Sequence, residues 1–357
     1  MLLLHTTLLL ASALLAGSAE DVSHTLPSVV RWNVPIPARP AAPPTIDAEH
    51  VFAVFQSGVV AAYRLADGTE AWHASLRSDQ SVAVEGARVF VAAGEAIHAL
   101  NAATGSEIWL APVGTVTAPL LAQNGWLVAV SESGLTAFRA EDGTKVWSRK
   151  TGAQHRRPTI EGDNLYAPLD DGHVLALDLA TGAERWTRHF ESAASEILAF
   201  PDRVFFGVDR TFHCVRALDG AREWPRPHGA PLRGRPAADD VRVFVAGIDN
   251  VVRAFDRRSG AMLWYANVPY RPSGPVVLGS AVVVSGNASE MRAFDAATGK
   301  PAGQIKLDEV GKLVTPPAFG SAAGAVVMAA FTGSLNEQWK LVLTGPPPAA
   351  PPSVPHE

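Results

Sequence analysis

The chain has one cysteine in 357 residues, Cys214. No disulfide can form within it, and no cysteine stands near the amino terminus to carry a lipid anchor. An excess of positive charge is also missing. The 30 Lys and Arg against 35 Asp and Glu leave a formal net charge of -5, without the broad positive field that nucleic acid or an anionic membrane would require. Any basic site must therefore be local. Beyond the first residues the apolar runs are shorter than a helix, with 30 glycines and 27 prolines scattered between them, which is an all-β pattern. No Gly-x-Ser-x-Gly nucleophile motif and no Gly-rich phosphate loop occurs. His155, His213 and His228 have no second ligand at metal-binding spacing and are expected to be solvated loop residues.

The one longer apolar run, Leu2 to Leu15, ends in Ala16, Gly17, Ser18 and Ala19 before Glu20 and Asp21. It is short for a membrane span and reads as an export signal over residues 1–19, although its start carries His5 rather than Lys or Arg. The mature chain is expected to be a soluble monomer, periplasmic or secreted. At the other end, Gly345 to Glu357 is Pro-rich and is expected to form a loose tail.

What is abundant is a repeat. Trp32, Trp72, Trp109, Trp147, Trp186, Trp224 and Trp264 follow one another at spacings of 40, 37, 38, 39, 38 and 40, and one further step of 39 reaches Gly303. Four residues before each of the last six tryptophans, and before Gly303, stands a glycine: Gly68, Gly105, Gly143, Gly182, Gly220, Gly260 and Gly299. Each unit reads as strand, turn, strand. The glycine supplies the turn, the small residue at its start (Ala62, Ala99, Ala137, Ala176, Cys214, Ala254, Ala293) must stay small, and the Trp opens an outer strand where it can cover a neighbouring edge. Cys214 thus reads as an inert core residue.

Two turn positions co-vary. Arg64, Arg139 and Arg216 go with Asp67, Asp142 and Asp219 before the glycine, whereas Asn101, Asp178, Asp256 and Asp295 go with Thr104, Thr181, Ser259 and Thr298. The expectation is that the two side chains touch, as an ion pair in one class and an Asx–hydroxyl bond in the other.

Two more strands precede each motif, so that each unit has four, the content of a propeller blade. Seven full units run from about Ala41 to Leu307. An eighth set, Leu313–Thr315, Ala325–Phe331 and Gln338–Leu343, lacks its Trp strand, and Val29-Val30-Arg31-Trp32 lacks a motif. Joining them predicts an eight-bladed propeller of four-stranded blades over residues 20–344, its last blade closed by strands from both ends.

The string Ala-Phe-Asp-x-x-(Thr/Ser)-Gly-x-x-x-Trp, carried by Ala254 to Trp264 and, with Leu for Phe, by Ala176 to Trp186, resembles the pyrroloquinoline-quinone-type propeller repeat. The resemblance covers nearly the whole mature chain and implies a fold rather than an activity. One branch of such proteins comprises quinone-dependent periplasmic alcohol dehydrogenases, which use a calcium ion, a catalytic carboxylate and usually a vicinal disulfide. One cysteine cannot make that disulfide, the blades carry no large insertions, and the best carboxylate pair, Asp170-Asp171, sits in a turn. The other branch comprises non-enzymatic envelope proteins such as the barrel-assembly component BamB, which are typically lipid-anchored. That branch fits the bare propeller. The expectation is a binding or scaffold protein without cofactor or catalytic residues. A glycan-binding propeller is the remaining alternative, with Trp126 as the stacking candidate unless it is a strand residue.

The segments leading into the innermost strands carry Arg156, Arg157, Arg233, Arg235, Arg271 and Lys312. They are expected near the mouth of the central channel, surrounded by hairpin tips bearing Glu95, Glu132, Asp170, Asp171, Asp209, Asp249 and Glu290. A basic inner ring of this kind suits an acidic peptide of a protein partner, unless ring and rim neutralise each other.

Overall fold

The computed structural model describes residues 26–152, 154–307, 310–333 and 338–347. The stretch read from sequence as an export signal, residues 1–19, and most of the expected tail lie outside them. Strands organise into eight antiparallel sheets, and blades 1 to 7 each take four consecutive strands in simple order. Blade 1 is Thr45–Ile46, His50–Phe55, Val59–Arg64 and Glu70–Ala74; blade 4 is Thr159–Glu161, Asn164–Pro168, His173–Asp178 and Glu184–His189. First strands of adjacent blades touch one another at the centre, so that the fourth strands form the rim. No helix among the described residues is long and apolar enough to cross a membrane.

Blade 8 closes as expected. Val29–Pro35 from the amino-terminal side pairs with Trp339–Gly345, which pairs with Ala325–Gly333. Its inner strand differs from the expectation. Ala318–Ala322 fills that position, while Lys312–Leu313 pairs separately with the far end of Ala325–Gly333. Thr315-Pro316-Pro317 separates the two pieces, because proline cannot donate to a ladder. Gly345, assigned from sequence to the tail, belongs to the third strand, and Pro346 accepts a bond of 2.6 Å from Arg31.

The registers explain why the motif needs a small residue. In blade 1 Phe52 pairs with Ala62, and Ala62 pairs with Trp72. The same rung is Phe90–Ala99–Trp109, Tyr166–Ala176–Trp186, Phe205–Cys214–Trp224 and Phe244–Ala254–Trp264 in blades 2, 4, 5 and 6. Aromatic and Trp rings therefore meet over the small residue, at centroid separations of 5.7 to 6.1 Å in these five blades. A larger middle side chain would force the rings apart. Cys214 is buried there, and burial pushes its thiol up to about 12. In blade 7 both aromatic positions are lost together: Val283 pairs with Ala293 and Ala293 with Gly303.

Each Trp also locks its blade to the next. Trp72 Nε1 donates to the Ala102 carbonyl at 2.8 Å, and its ring lies on Gly105, where a Cβ would come within 2.6 Å of it. Trp147 does the same to Leu179 and Gly182, and Trp32 of blade 8 to Leu65 and Gly68 of blade 1. The motif glycine thus has two requirements, a φ near +71° at Gly105 and Gly182 and an empty face for the neighbour's indole. Between blades 7 and 8 no Trp is available. That seam is filled by Leu26, Ile305, Leu307, Met328 and their apolar neighbours.

A second clamp follows the Trp. Arg149, Arg188 and Arg226 stand two residues beyond Trp147, Trp186 and Trp224, and their guanidinium groups donate to the carbonyls of Gly182, Gly220 and Gly260. The Trp-x-Arg spacing in three consecutive units is its sequence signal.

The expected contact of co-varying turn residues holds in part. Thr181, Ser259 and Thr298 hydroxyls donate to Asp178, Asp256 and Asp295 at 2.7 to 2.8 Å, and Arg216 bonds Asp219 through two nitrogens. Asn101 instead accepts the backbone N–H of Thr104 at 3.0 Å. Arg64 and Arg139 form no ion pair with Asp67 and Asp142, because those carboxylates are taken by the N–H groups of Thr69 and Thr144, 2.9 Å away in each case. Arg64 reaches the Thr69 hydroxyl and Arg139 lies 4.1 Å from the centre of the Trp126 ring. The conserved event within the repeat is one acceptor capping a turn N–H, from either position. The Thr69 hydroxyl and N–H hold the Asp67 carboxyl below the usual range, and the Thr144 N–H and hydroxyl do the same for Asp142.

Candidate functional site

The two faces of the disc differ in kind. Turns between the first and second strands meet the motif turns, as in the bond from Leu65 N–H to the Glu49 carbonyl. Hairpin tips between the second and third strands meet the segments leading into the next blade, as when Phe190 N–H donates to Gly172 and Val113 N–H to Glu95. The basic lead-in segments therefore lie on the face opposite the Gly–Trp motif.

Three lead-in positions are equivalent. Thr159, Leu198 and Ala237 pair with Tyr166, Phe205 and Phe244, and two residues before them stand Arg157, Glu196 and Arg235, in blades 4, 5 and 6. The Ile197 carbonyl ties these blades together, accepting from the Thr159 hydroxyl at 2.8 Å and from Arg235 Nε at 3.0 Å. Arg157 and Arg235 remain in contact with solvent. Protein nevertheless crowds both closely enough that loss of water lowers their pKa, with Arg235 lowering that of Arg157 further and Glu196 opposing the shift in both. Such an environment fits side chains aimed into a narrow, wet channel.

Arg233 and Arg271 line a neighbouring groove of about 770 Å³ with Gly234, Gly274, Gly286 and Val314. Arg39 completes it. This residue, which sequence reasoning missed, lies 5.6 Å from the centre of the Trp339 ring. Its signal was the Arg-Pro pair before an inner strand, repeated in Arg157-Pro158, Arg235-Pro236 and Arg271-Pro272. Lys312 is exposed on the same approach.

Arg156 departs from the group. It donates to Asp170 at 3.0 Å, and His155 reaches the other oxygen of the same carboxylate at 2.5 Å, so ring and rim neutralise each other here. Asp249 and Glu290 are likewise occupied, by Arg253 and Arg292. Among the described residues Arg39, Arg157, Arg233, Arg235 and Arg271 have no such partner within ion-pair distance. Asp171 caps the His173 N–H at 3.0 Å, which is turn chemistry. Trp126 is a half-buried strand residue at the start of Trp126–Ser131, packed against the core and with the Arg139 guanidinium 4.1 Å from its ring centre.

The histidines correct one expectation. His228 is buried, and neither ring nitrogen has a protein partner among the described residues. His213 is half-buried in a strand between Phe190 and Phe206. Burial lowers both to about 4, with nearby Arg222 and Arg253 adding to the effect. No group of three or more metal-ligating side chains is found among the described residues.

Comparison with known proteins agrees with this architecture. Residues 56–203 and 170–342 match the family described as outer membrane protein assembly factor BamB. The chain is 24% identical over 283 residues to outer membrane protein assembly factor BamB of Shewanella oneidensis, covering 71% of each. Other curated relatives match over less of their length, 49% and 40%. The crystal structure of BamB from Moraxella catarrhalis superposes with a TM-score of 0.68 at 17% identity, over 88% of this chain and 97% of that one. Quinohemoprotein alcohol dehydrogenase from Comamonas testosteroni superposes with a TM-score of 0.71 at 13% identity, over 94% and 78%, so the fold alone does not separate the two branches. The match to the repeats over most of its length shows that this chain belongs to the BamB family of pyrroloquinoline-quinone-type β-propellers.

Proposed function

We propose that the chain is a non-enzymatic scaffold of the cell envelope, a periplasmic monomer that presents its arginine-bearing face to a protein partner in outer-membrane protein assembly. The observation that carries this reading is the group Arg39, Arg157, Arg233, Arg235 and Arg271, gathered from four lead-in segments on one face and without ion pairs among the described residues. Guanidinium groups left exposed in this way suit carboxylates on a partner, which they can grip through two parallel bonds. Family membership supports the assembly role. The single buried cysteine and the short connections between blades speak against the active-site apparatus of the dehydrogenase branch. Affinity purification of the tagged chain from envelope extracts tests the reading: recovery of barrel-assembly components is the expected result. Quinone- and calcium-dependent dye reduction by the pure protein would overturn it.

A further inference from the structure

The repeat places Arg157, Glu196 and Arg235 at one equivalent position in three successive blades. The bonds to the Ile197 carbonyl hold Arg235 across blade 5, towards the side of blade 4 that carries Arg157. Two positive groups and one negative group are thereby gathered around the lead-in segments of blades 4 to 6, in contact with solvent, and the described residues supply no ion pair for either arginine. Like charges held near one another repel. A bound anion would relieve it. We propose that Arg157 and Arg235 together hold one carboxylate of a small organic anion in the mouth of the central channel.

The charge balance sets the ligand class. Glu196 offsets one guanidinium and leaves a single excess positive charge, which one carboxylate neutralises. The planar donors of two arginines match the two oxygens of that group. A dianionic phosphate would overshoot the balance and meet Glu196. The site uses two arginines of the partner-binding group, but its occupation by a small anion does not require that a protein bind the face.

The test is a titration of the full chain with acetate, propionate or inorganic phosphate at constant ionic strength held with chloride, following the arginine Nε–H resonances by NMR. Saturable shifts at two arginines with the carboxylates are expected. In R157Q or R235Q the affinity should fall at least about tenfold, the loss of one charge-assisted bond. E196Q should bind more tightly, which a merely structural glutamate would not do. Shifts that never saturate, saturation that survives in the R157Q/R235Q double variant, or saturation by phosphate alone would each overturn the proposal. Wild-type saturation and the E196Q response decide the matter if an arginine variant does not fold. No partner protein is present, so failure here leaves the scaffold reading standing, and failure to recover a partner leaves this site standing.

Discussion

Small residues carry much of the specification in this fold. Gly105 combines a φ of +71° with an indole where its Cβ would lie, so Gly105→Ala should cost about 1 to 3 kcal/mol, read as a lowered denaturation midpoint. Cys214 is the converse, a thiol used only for its size. It should resist a thiol reagent in the native protein, where its pKa is about 12, and react on unfolding. The buried histidines give stability a pH dependence. His228 titrates near 4 when folded and near 6.5 when unfolded, so the unfolded chain binds the extra proton between those values. Its contribution is therefore present above about pH 6.5 and lost as pH falls towards 4, by about 2 to 3 kcal/mol. Thermal melts across that range should show the loss, and His228→Gln should flatten it. The sequence showed that the residue at the Cys214 position must be small. It did not show why, because the Phe–small–Trp rung joins three strands whose register only the fold defines. It also hid the burial of His228, since nothing local distinguishes a buried loop histidine from a wet one.

At the scale of the blade, the strand carrying each Trp belongs to one sheet but is completed by the next. Trp147 donates to Leu179 and packs on Gly182, and Arg149 follows it onto the Gly182 carbonyl. Trp147→Ala should therefore cost about 3 to 5 kcal/mol, whereas Arg149→Ala, which removes a half-exposed side chain, should cost about 1 kcal/mol or less in the same chemical denaturation. The lock was legible because its two halves, Gly and Trp, recur together in six units. The turn chemistry was only half legible. Co-variation between Arg64 and Asp67 marked two coupled positions, but the carboxylate prefers the Thr69 N–H, a competition that sequence does not reveal. In blade 8 the strand order was legible and the broken inner strand was not, since its position depends on partners in Ala325–Gly333.

Over the whole molecule, the ring is held by seven Trp locks and one apolar seam. Leu26 is buried in that seam beside Ile305 and Met328, so Leu26→Ala should lower stability by about 2 to 5 kcal/mol, a large effect for a residue so near the amino terminus. The repeat predicted both the ring and its closure. It predicted the basic segments as well, but not their division into paired Arg156 and unpaired Arg157, nor the presence of Arg39, whose neighbours in the groove come from residues about 200 or more positions away. Partner binding is proposed for the face opposite the Gly–Trp motif. It is tested most directly by comparing capture of envelope proteins by the wild-type chain, by R157A/R233A/R235A/R271A, and by the opposite-face control R64A/R258A. The account predicts that the quadruple variant loses the partner while the control retains it. Equal recovery by all three, with the variants folded, would contradict it.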